Sequence, residues 1–210
     1  MVEFEEAKDR LAQLEKPLVD GHIAAEAQWE AFVKEHPDLA LPFDNTTRAN
    51  VLNNYICSQM ARASEGLSNV DVTEALRFFA LKIDDDILLR FKFVGHGEPR
   101  NYPTPQQQLL AQQLFSEKMT IALTGDPALK PPTLLTCGYT LTPDGMKIGR
   151  IELRRDCDGH APWFYDIYGG DRVVRPQTFD GRTDDTRPAT VRKTTERKDA
   201  DGGVDQSESA

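Results

Sequence analysis

The sequence lacks the features that mark membrane, secreted and disulfide-rich proteins. It has no run of about 18 apolar residues, the minimum for a membrane-spanning helix. Its acidic start has neither the basic region nor the apolar stretch of a signal peptide. Only three cysteines are present, Cys57, Cys137 and Cys157, and this odd number fits a reducing compartment better than a disulfide framework. We therefore expect a cytoplasmic protein that does not enter a membrane.

The short motifs of the large enzyme classes are also missing. There is no phosphate-binding Gly-Lys-Ser/Thr loop, no Gly-x-Gly-x-x-Gly turn, no Gly-x-Ser-x-Gly elbow and no His-Glu-x-x-His helix. Cys157 and His160 have the Cys-x-x-His spacing of half a zinc site, but a structural site needs four ligands and no second pair has matching spacing. We expect no metal and no cofactor.

Negative charge dominates, with a formal net charge of −9. A broad nucleic-acid-binding surface needs an excess of Lys and Arg, so nucleic acid is not the favoured partner. A local basic patch is nevertheless present, because alternating residues of the predicted strands place several cations and aromatic rings on one face. These residues are Lys82, Arg90, Lys92 and Arg154, with Phe78 and Phe164 between them.

Apolar residues at helical spacing predict a helical region over residues 1–66. Between 2 and 35 the pattern is interrupted by Pro17 and Gly21, so we expect two helices, or one sharply bent, rather than a continuous rod. Asn-Thr-Thr at 45–47 offers side-chain oxygens to cap a further helix, which ends by Gly66.

Beyond residue 75 the apolar residues alternate, as is typical of strands. The segments 79–83 and 87–93 form a hairpin around three aspartates, a short helix follows Thr104, and three strands occupy the stretch from Leu135 to Tyr168. We predict an α+β fold: an N-terminal helical layer packed on a five-stranded, mainly antiparallel sheet, with one helix between strands two and three.

Register can be predicted within this second group of strands. After the turn at 143–145, apolar residues change parity between Ile148 and the pair Ile151 and Leu153. A strand with a two-residue period buries both sets only if one residue is inserted. We therefore predict a β-bulge at 149–150, which places Ile151 opposite Tyr139 and Leu153 opposite Cys137.

The end of the sequence is polar and poor in apolar residues. Its composition buries too little surface to offset the entropy of ordering the chain. We predict one domain over 1–175, with a helical part at 1–66 and a sheet part at 72–170, followed by a disordered tail at 176–210.

The loop 96–104 is the segment richest in chemically useful side chains. It offers an imidazole, a carboxylate, a guanidinium and a phenol just before a helix, and two cations precede it on the strand. An alternating strand projects those cations from the face opposite its apolar residues. No catalytic residue can be assigned. The candidate binding residues are Arg90, Lys92, His96, Arg100, Asn101 and Thr104.

Several short segments occur in an order that resembles a family of accessory proteins. These are Arg-Phe-Lys-Phe at 90–93, Asn-Tyr-Pro-Thr at 101–104, Gly-Tyr-Thr-Leu at 138–141 and Thr-Arg-Ala at 47–49. The chain is similar over about 45–168 to bacterial and phage accessory proteins of toxin–antitoxin or phage-defence gene pairs. The resemblance implies a protein partner and no defined catalyst.

Three functions follow as hypotheses. The favoured one is a cytoplasmic interaction protein of such an accessory locus, which acts by binding a protein partner rather than by catalysis. The second is a small toxin enzyme that acts on RNA or a nucleotide through the loop 96–104. The third is a phage-encoded inhibitor whose acidic surface blocks a host nucleic-acid-binding protein.

Overall fold

The protein has an α+β fold, with an N-terminal helical part and a mixed sheet, as the sequence predicts at this level. The structure is a computed structural model that describes residues 2–74, 78–95, 98–99, 104–126, 128–143, 145–157 and 160–169. The predicted domain boundary at 175 and the predicted tail at 176–210 lie outside these residues.

The first helix, α1 (Phe4–Glu35), is continuous, so the expected division into two helices is wrong. Pro17 lies inside it, although proline in a helix interior typically costs about 3 kcal/mol. The helix keeps one buried face along its length, including Leu14 and Leu18, and this burial outweighs the local cost. Gly21 allows close packing, because a Cβ there would lie 2.5 Å from Cε of Met60.

Two further helices complete the N-terminal part. They are α2 (Pro37–Ala40) and α3 (Asn45–Ser64). Asp44 caps α3 by accepting a 2.7 Å hydrogen bond from the backbone N–H of Thr47, so the cap lies one residue before the predicted Asn-Thr-Thr segment.

The sheet contains more strands than the five expected. The strands within the described residues are β1 (Val70–Thr73), β2 (Ala80–Ile83), β3 (Ile87–Gly95), β4 (Glu98–Pro99), β5 (Thr133–Leu141), β6 (Ile148–Cys157) and β7 (His160–Tyr168). Six of them follow the order β1-β2-β3-β5-β6-β7, and the two-residue β4 pairs with the end of β3. The strand β1 was missed because it is four residues long and only Val70 in it is buried.

The expectation of a mainly antiparallel sheet needs one correction, because β3 and β5 pair in parallel. Two helices rather than one connect them, α4 (Pro105–Ala111) and α5 (Glu117–Thr124). A parallel pair requires a crossover connection of a dozen or more residues, which these helices supply. The other neighbouring pairs along the sheet are antiparallel.

The predicted register of β5 and β6 is confirmed. Ile151 pairs with Tyr139 and Leu153 pairs with Cys137, and the register shifts where Thr140 and Leu141 pair with Arg150 and Ile148. The residue left over on β6 is the glycine at 149, where the sequence predicts the bulge.

Each face of the sheet is covered by different helices. The larger apolar cluster joins α1 and α3 to one face, which includes Leu89, Leu135 and Leu153. A smaller cluster on the other face joins Leu88 and Leu134 to α4 and α5. Adjacent residues of β3 therefore enter different clusters, because successive side chains point to opposite faces.

Candidate functional site

One face of the sheet carries charged side chains in lateral rows. Arg90 of β3 pairs with Thr136 of β5, which pairs with Arg154 of β6, and the next row along contains Lys92 and Glu152. Residues two apart on a strand share a face, so these rows form one surface. We name it the charged face, and its members are Arg90, Lys92, Thr136, Glu152, Arg154 and Asp156.

The charged face is largely buried. Arg90 is 2% exposed and Glu152 is 1% exposed, so water solvates neither group well. A buried charge is tolerated when ion pairs and hydrogen bonds replace its hydration. Arg154 meets this condition, because its Nη1 donates to Glu152 Oε1 at 2.7 Å and its Nε donates to Asp156 Oδ1 at 2.7 Å.

The network continues beyond Arg154. Nη2 of Arg150 lies 2.8 Å from Oε2 of Glu152, a close ion pair without hydrogen-bond geometry, and Nε of Arg150 lies 3.5 Å from Oδ1 of Asp166. Gly138 leaves space for these groups, because a Cβ there would overlap Val94 and lie 3.3 Å from Cγ of Glu152. Cations and carboxylates thus alternate along this part of β6.

Arg90 is held from one side only. Its Nε donates to Thr136 Oγ1 at 3.1 Å, and Thr136 Oγ1 donates to Asp156 Oδ2 at 2.8 Å. Its Nη2 lies 3.9 Å from the same carboxylate oxygen. Its Nη1 is buried and has no hydrogen-bond partner among the described residues. A fixed guanidinium therefore presents an Nη1 amino group whose N–H bonds have no acceptor among the described residues.

Both cations of β3 lie in surroundings that disfavour positive charge. Burial lowers the pKa of Arg90; the charge of Asp156 opposes this effect and that of Arg154 adds to it. Burial also lowers the pKa of Lys92, and the charge of Arg90 lowers it further. No carboxylate within the described part of the chain forms an ion pair with Lys92. An anion placed beside both groups would stabilise their positively charged forms.

A pocket of about 350 Å³ opens beside these cations. Polar groups from α3 and β3 line it together with a carboxylate and a thiol, and aromatic rings supply most of the apolar wall. The lining residues that matter for its chemistry are Asn53, Asn54, Cys57, Glu74, Phe78, Phe79, Arg90, Phe91, Lys92 and Leu110.

The position of the pocket follows from the pairing of β3. Strand β2 pairs with β3 no further than Arg90, and β4 joins it only from Val94. The described strands thus leave residues 91–93 without a ladder partner on this side. The pocket lies where the pairing along this side of β3 is interrupted. Its lining therefore includes Phe91 from one face of β3 and Arg90 and Lys92 from the other.

The thiol in the pocket is not an activated nucleophile. Burial raises the pKa of Cys57 to about 11, an effect that the positive charge of Lys92 only partly offsets. A cysteine nucleophile reacts as the thiolate, and at neutral pH this group is a protonated thiol. It accepts a hydrogen bond from Nδ2 of Asn53 at 3.7 Å.

The structure brings together only some of the predicted site residues. Arg90 and Lys92 both line the pocket, while Thr104 is exposed at the start of α4. His96, Arg100 and Asn101 lie outside the described residues.

Two predicted members of the basic patch have carboxylate partners of their own. Lys82 pairs with Asp85 at 2.8 Å, and Arg154 belongs to the buried network. Sequence reasoning missed the α3 residues of the pocket, although Asn53 and Cys57 are four apart and so share a helix face. It also missed the carboxylates at 152 and 156, whose parity matches that of Arg154.

Among the described residues, no group of His, Cys, Asp and Glu is arranged to hold a metal ion. None of the described helices is long and apolar enough to cross a membrane. Comparisons of the chain with protein-family models, with curated proteins and with solved structures find no match.

Proposed function

We propose that this protein acts by binding a protein partner, and that the pocket beside Arg90 and Lys92 receives an anionic group of that partner. The observation that carries the proposal is the buried Nη1 of Arg90, which has no hydrogen-bond partner in the described part of the chain yet lies in a side chain that lines a pocket. A buried donor left unsatisfied typically costs 1–3 kcal/mol, and more when charged, so a bound acceptor would recover about this much.

The electrostatics favour an anion over a neutral ligand. The pocket lining contains two cations, Arg90 and Lys92, and one carboxylate, Glu74, and burial lowers the pKa of each cation. An anion between them forms charge-assisted hydrogen bonds, which are roughly twice as strong as neutral ones. The fixed guanidinium adds selectivity, since Thr136 and Asp156 already hold its other side.

Binding is favoured over catalysis by the protonation state of the lining. Cys57 is a protonated thiol at neutral pH, and no histidine is among the described lining residues. The toxin-enzyme and phage-inhibitor hypotheses remain predictions from the sequence. The assignment to a toxin–antitoxin or phage-defence locus is likewise a hypothesis that rests on the sequence resemblance.

The proposal is tested with the smallest carboxylate. Acetate is titrated into ¹⁵N-labelled protein at constant ionic strength while amide signals are followed by NMR. We expect saturable shifts at Lys92 and Asn53, and an apparent Kd at least fivefold higher for Lys92→Gln. The matched control is Lys118→Gln, which removes the same charge from an exposed site on α5. Shifts that do not saturate, or that are equal in Lys92→Gln, would overturn the proposal.

A further inference from the structure

The pocket contains a second unsatisfied group, of the opposite kind to Arg90 Nη1. Oδ1 of Asn53 is buried and has no hydrogen-bond partner among the described residues, since the amide is held to Cys57 through its Nδ2. Arg90 therefore offers an N–H that needs an acceptor, and Asn53 offers an oxygen that needs a donor. Both side chains line the same pocket.

Half of the remaining lining residues are apolar, and the others are Asn54, Cys57, Glu74 and Lys92. Phe79 and Phe91 lie with ring centroids 5.8 Å apart, and Phe78 and Leu110 complete the apolar lining. Leu110 is 1% exposed and belongs to the smaller apolar cluster, so its position is fixed by packing. A ligand that satisfies the whole pocket must combine an anionic acceptor, a hydrogen-bond donor and a large apolar group.

We infer that the pocket binds the free C-terminal residue of the partner polypeptide, and that this residue has a large apolar side chain. This inference rests on the proposed function. The terminal carboxylate lies against Arg90 Nη1 and the Lys92 ammonium. The backbone N–H of the same residue donates to Asn53 Oδ1. Its side chain packs against the phenylalanines. One peptide residue supplies all three groups on a single Cα.

An internal Asp or Glu fits this arrangement less well. Its carboxylate is separated from the backbone by methylene groups, so the carboxylate and a large apolar side chain cannot both come from one Cα. The peptide also continues in both directions from an internal residue. A pocket of about 350 Å³ is at the small end of ligand pockets, which range over roughly 300–1,000 Å³, and it suits one residue rather than a segment that passes through. Capture of a terminal carboxylate is a recurrent mode of peptide recognition.

Capped single residues test the inference by calorimetry or NMR titration. The reference probe is N-acetylphenylalanine, which has the carboxylate, the N–H and the ring. We expect its amide, which lacks the charge, to bind at least tenfold more weakly. We expect the N-methylated acid and N-acetylalanine to bind at least fivefold more weakly than the reference.

A substitution in α3 identifies the acceptor. Asn53→Ala should abolish the discrimination between N-acetylphenylalanine and its N-methylated form, since no oxygen remains to accept the N–H. Ser58→Ala, an exposed position of α3 outside the pocket lining, should retain it. If Asn53→Ala still discriminates, the assignment of Asn53 is wrong.

Two further probes separate failure of this inference from failure of the proposed function. An aspartate capped at both ends has only a side-chain carboxylate. If it binds as tightly as N-acetylphenylalanine and depends on Lys92, the anion site stands and the C-terminal inference fails. If free phenylalanine binds more than tenfold tighter than the acetylated form, the occupant is an amino acid and not a chain end. If no carboxylate binds, both proposals fail.

Discussion

Neighbouring residues of β3 that point to opposite faces of the sheet are both shielded from water but lie in opposite chemical surroundings. On β3, Leu89 is 0% exposed and Arg90, the next residue, is 2% exposed. Leu89 packs in the larger apolar cluster, whereas Arg90 lies in a network of ion pairs and hydrogen bonds. Burial alone therefore does not predict polarity. The larger apolar cluster is stabilised by exclusion of water, and Arg90 and Arg154 by their ion-pair and hydrogen-bond partners.

The charged face has an unsatisfied hydrogen-bonding group in a side chain that lines the pocket. An apolar cluster has no directional demand, so it is complete once it is close-packed. A charged network is complete only when every donor and acceptor is satisfied, and in the described residues Arg90 Nη1 and Glu152 Oε2 have no hydrogen-bond partner. Arg90 is the last residue of β3 that pairs with β2, directly before residues 91–93, and it lines the pocket there.

The largest expected effect is on the apolar face. Leu89→Ala should lower the free energy of unfolding by about 4 kcal/mol, because it removes buried methyl groups and leaves a cavity that the sheet cannot fill. Denaturant unfolding measures the change. The control is Leu109→Ala at a 38% exposed site, where the loss should be below about 1 kcal/mol. Equal losses at the two sites would show that Leu89 is not in the core.

A smaller loss is expected on the charged face. Asp156→Asn should lower the free energy of unfolding by about 3 kcal/mol, because Arg90 and Arg154 lose the carboxylate they share. In an Arg154→Met background, Asp156→Asn should lower the free energy of unfolding by less, because the buried Arg154 charge that would lose its partner is absent. Asp20→Asn, at an exposed ion pair with Lys16, is the matched control and should change little. Additive losses in the double variant would refute electrostatic coupling.

The smallest effect concerns pH and comes from the apolar face. His22 is fully buried between the rings of Phe91 and Tyr139, and burial lowers its pKa from 6.5 to about 4, although its hydrogen bond with the Leu18 carbonyl opposes the shift. Above pH 6.5 both states hold it neutral. As pH falls below 6.5, the unfolded state binds a proton that the folded state does not, so stability declines until about pH 4.

Between pH 7 and pH 5 the loss due to His22 is about 2 kcal/mol, at about 1.4 kcal/mol per pKa unit. The free energy of unfolding is measured at pH 7 and pH 5 for the wild type and for His22→Gln. The decrease from pH 7 to pH 5 should be larger in the wild type by this amount. His36→Gln, at an exposed position, should retain the wild-type sensitivity. An unchanged pH response in His22→Gln would mean that the imidazole is not held neutral by burial.

Local patterns in the sequence were sufficient to predict some of these features. The change of parity between Ile148 and Ile151 predicts the bulge and register that the sheet contains. Alternation in β3 places Arg90 and Lys92 on the face opposite Phe91, and both line the pocket. Such predictions succeed because the two-residue period of a strand is a property of the backbone itself.

Other features depended on parts of the chain that are distant in sequence. Pro17 and Gly21 predict two helices or one sharply bent helix, yet α1 is a single helix whose buried face packs along its length. The parallel pairing of β3 and β5 depends on the crossover through α4 and α5. Alternation of apolar residues within either strand does not indicate the relative direction of the two strands. The long helical connection between β3 and β5 could nevertheless have indicated a parallel pair.

The sequence by itself determined the fold class, the face of each strand residue and the presence of cations on β3, because these follow from composition and local periodicity. Only the tertiary structure decided that the cations are buried, which carboxylates partner them and that α3 brings Asn53 and Cys57 to the same pocket. The reason is physical: desolvation and ion pairing depend on the distance between groups, and residues 53, 90 and 156 become neighbours only when the chain has folded.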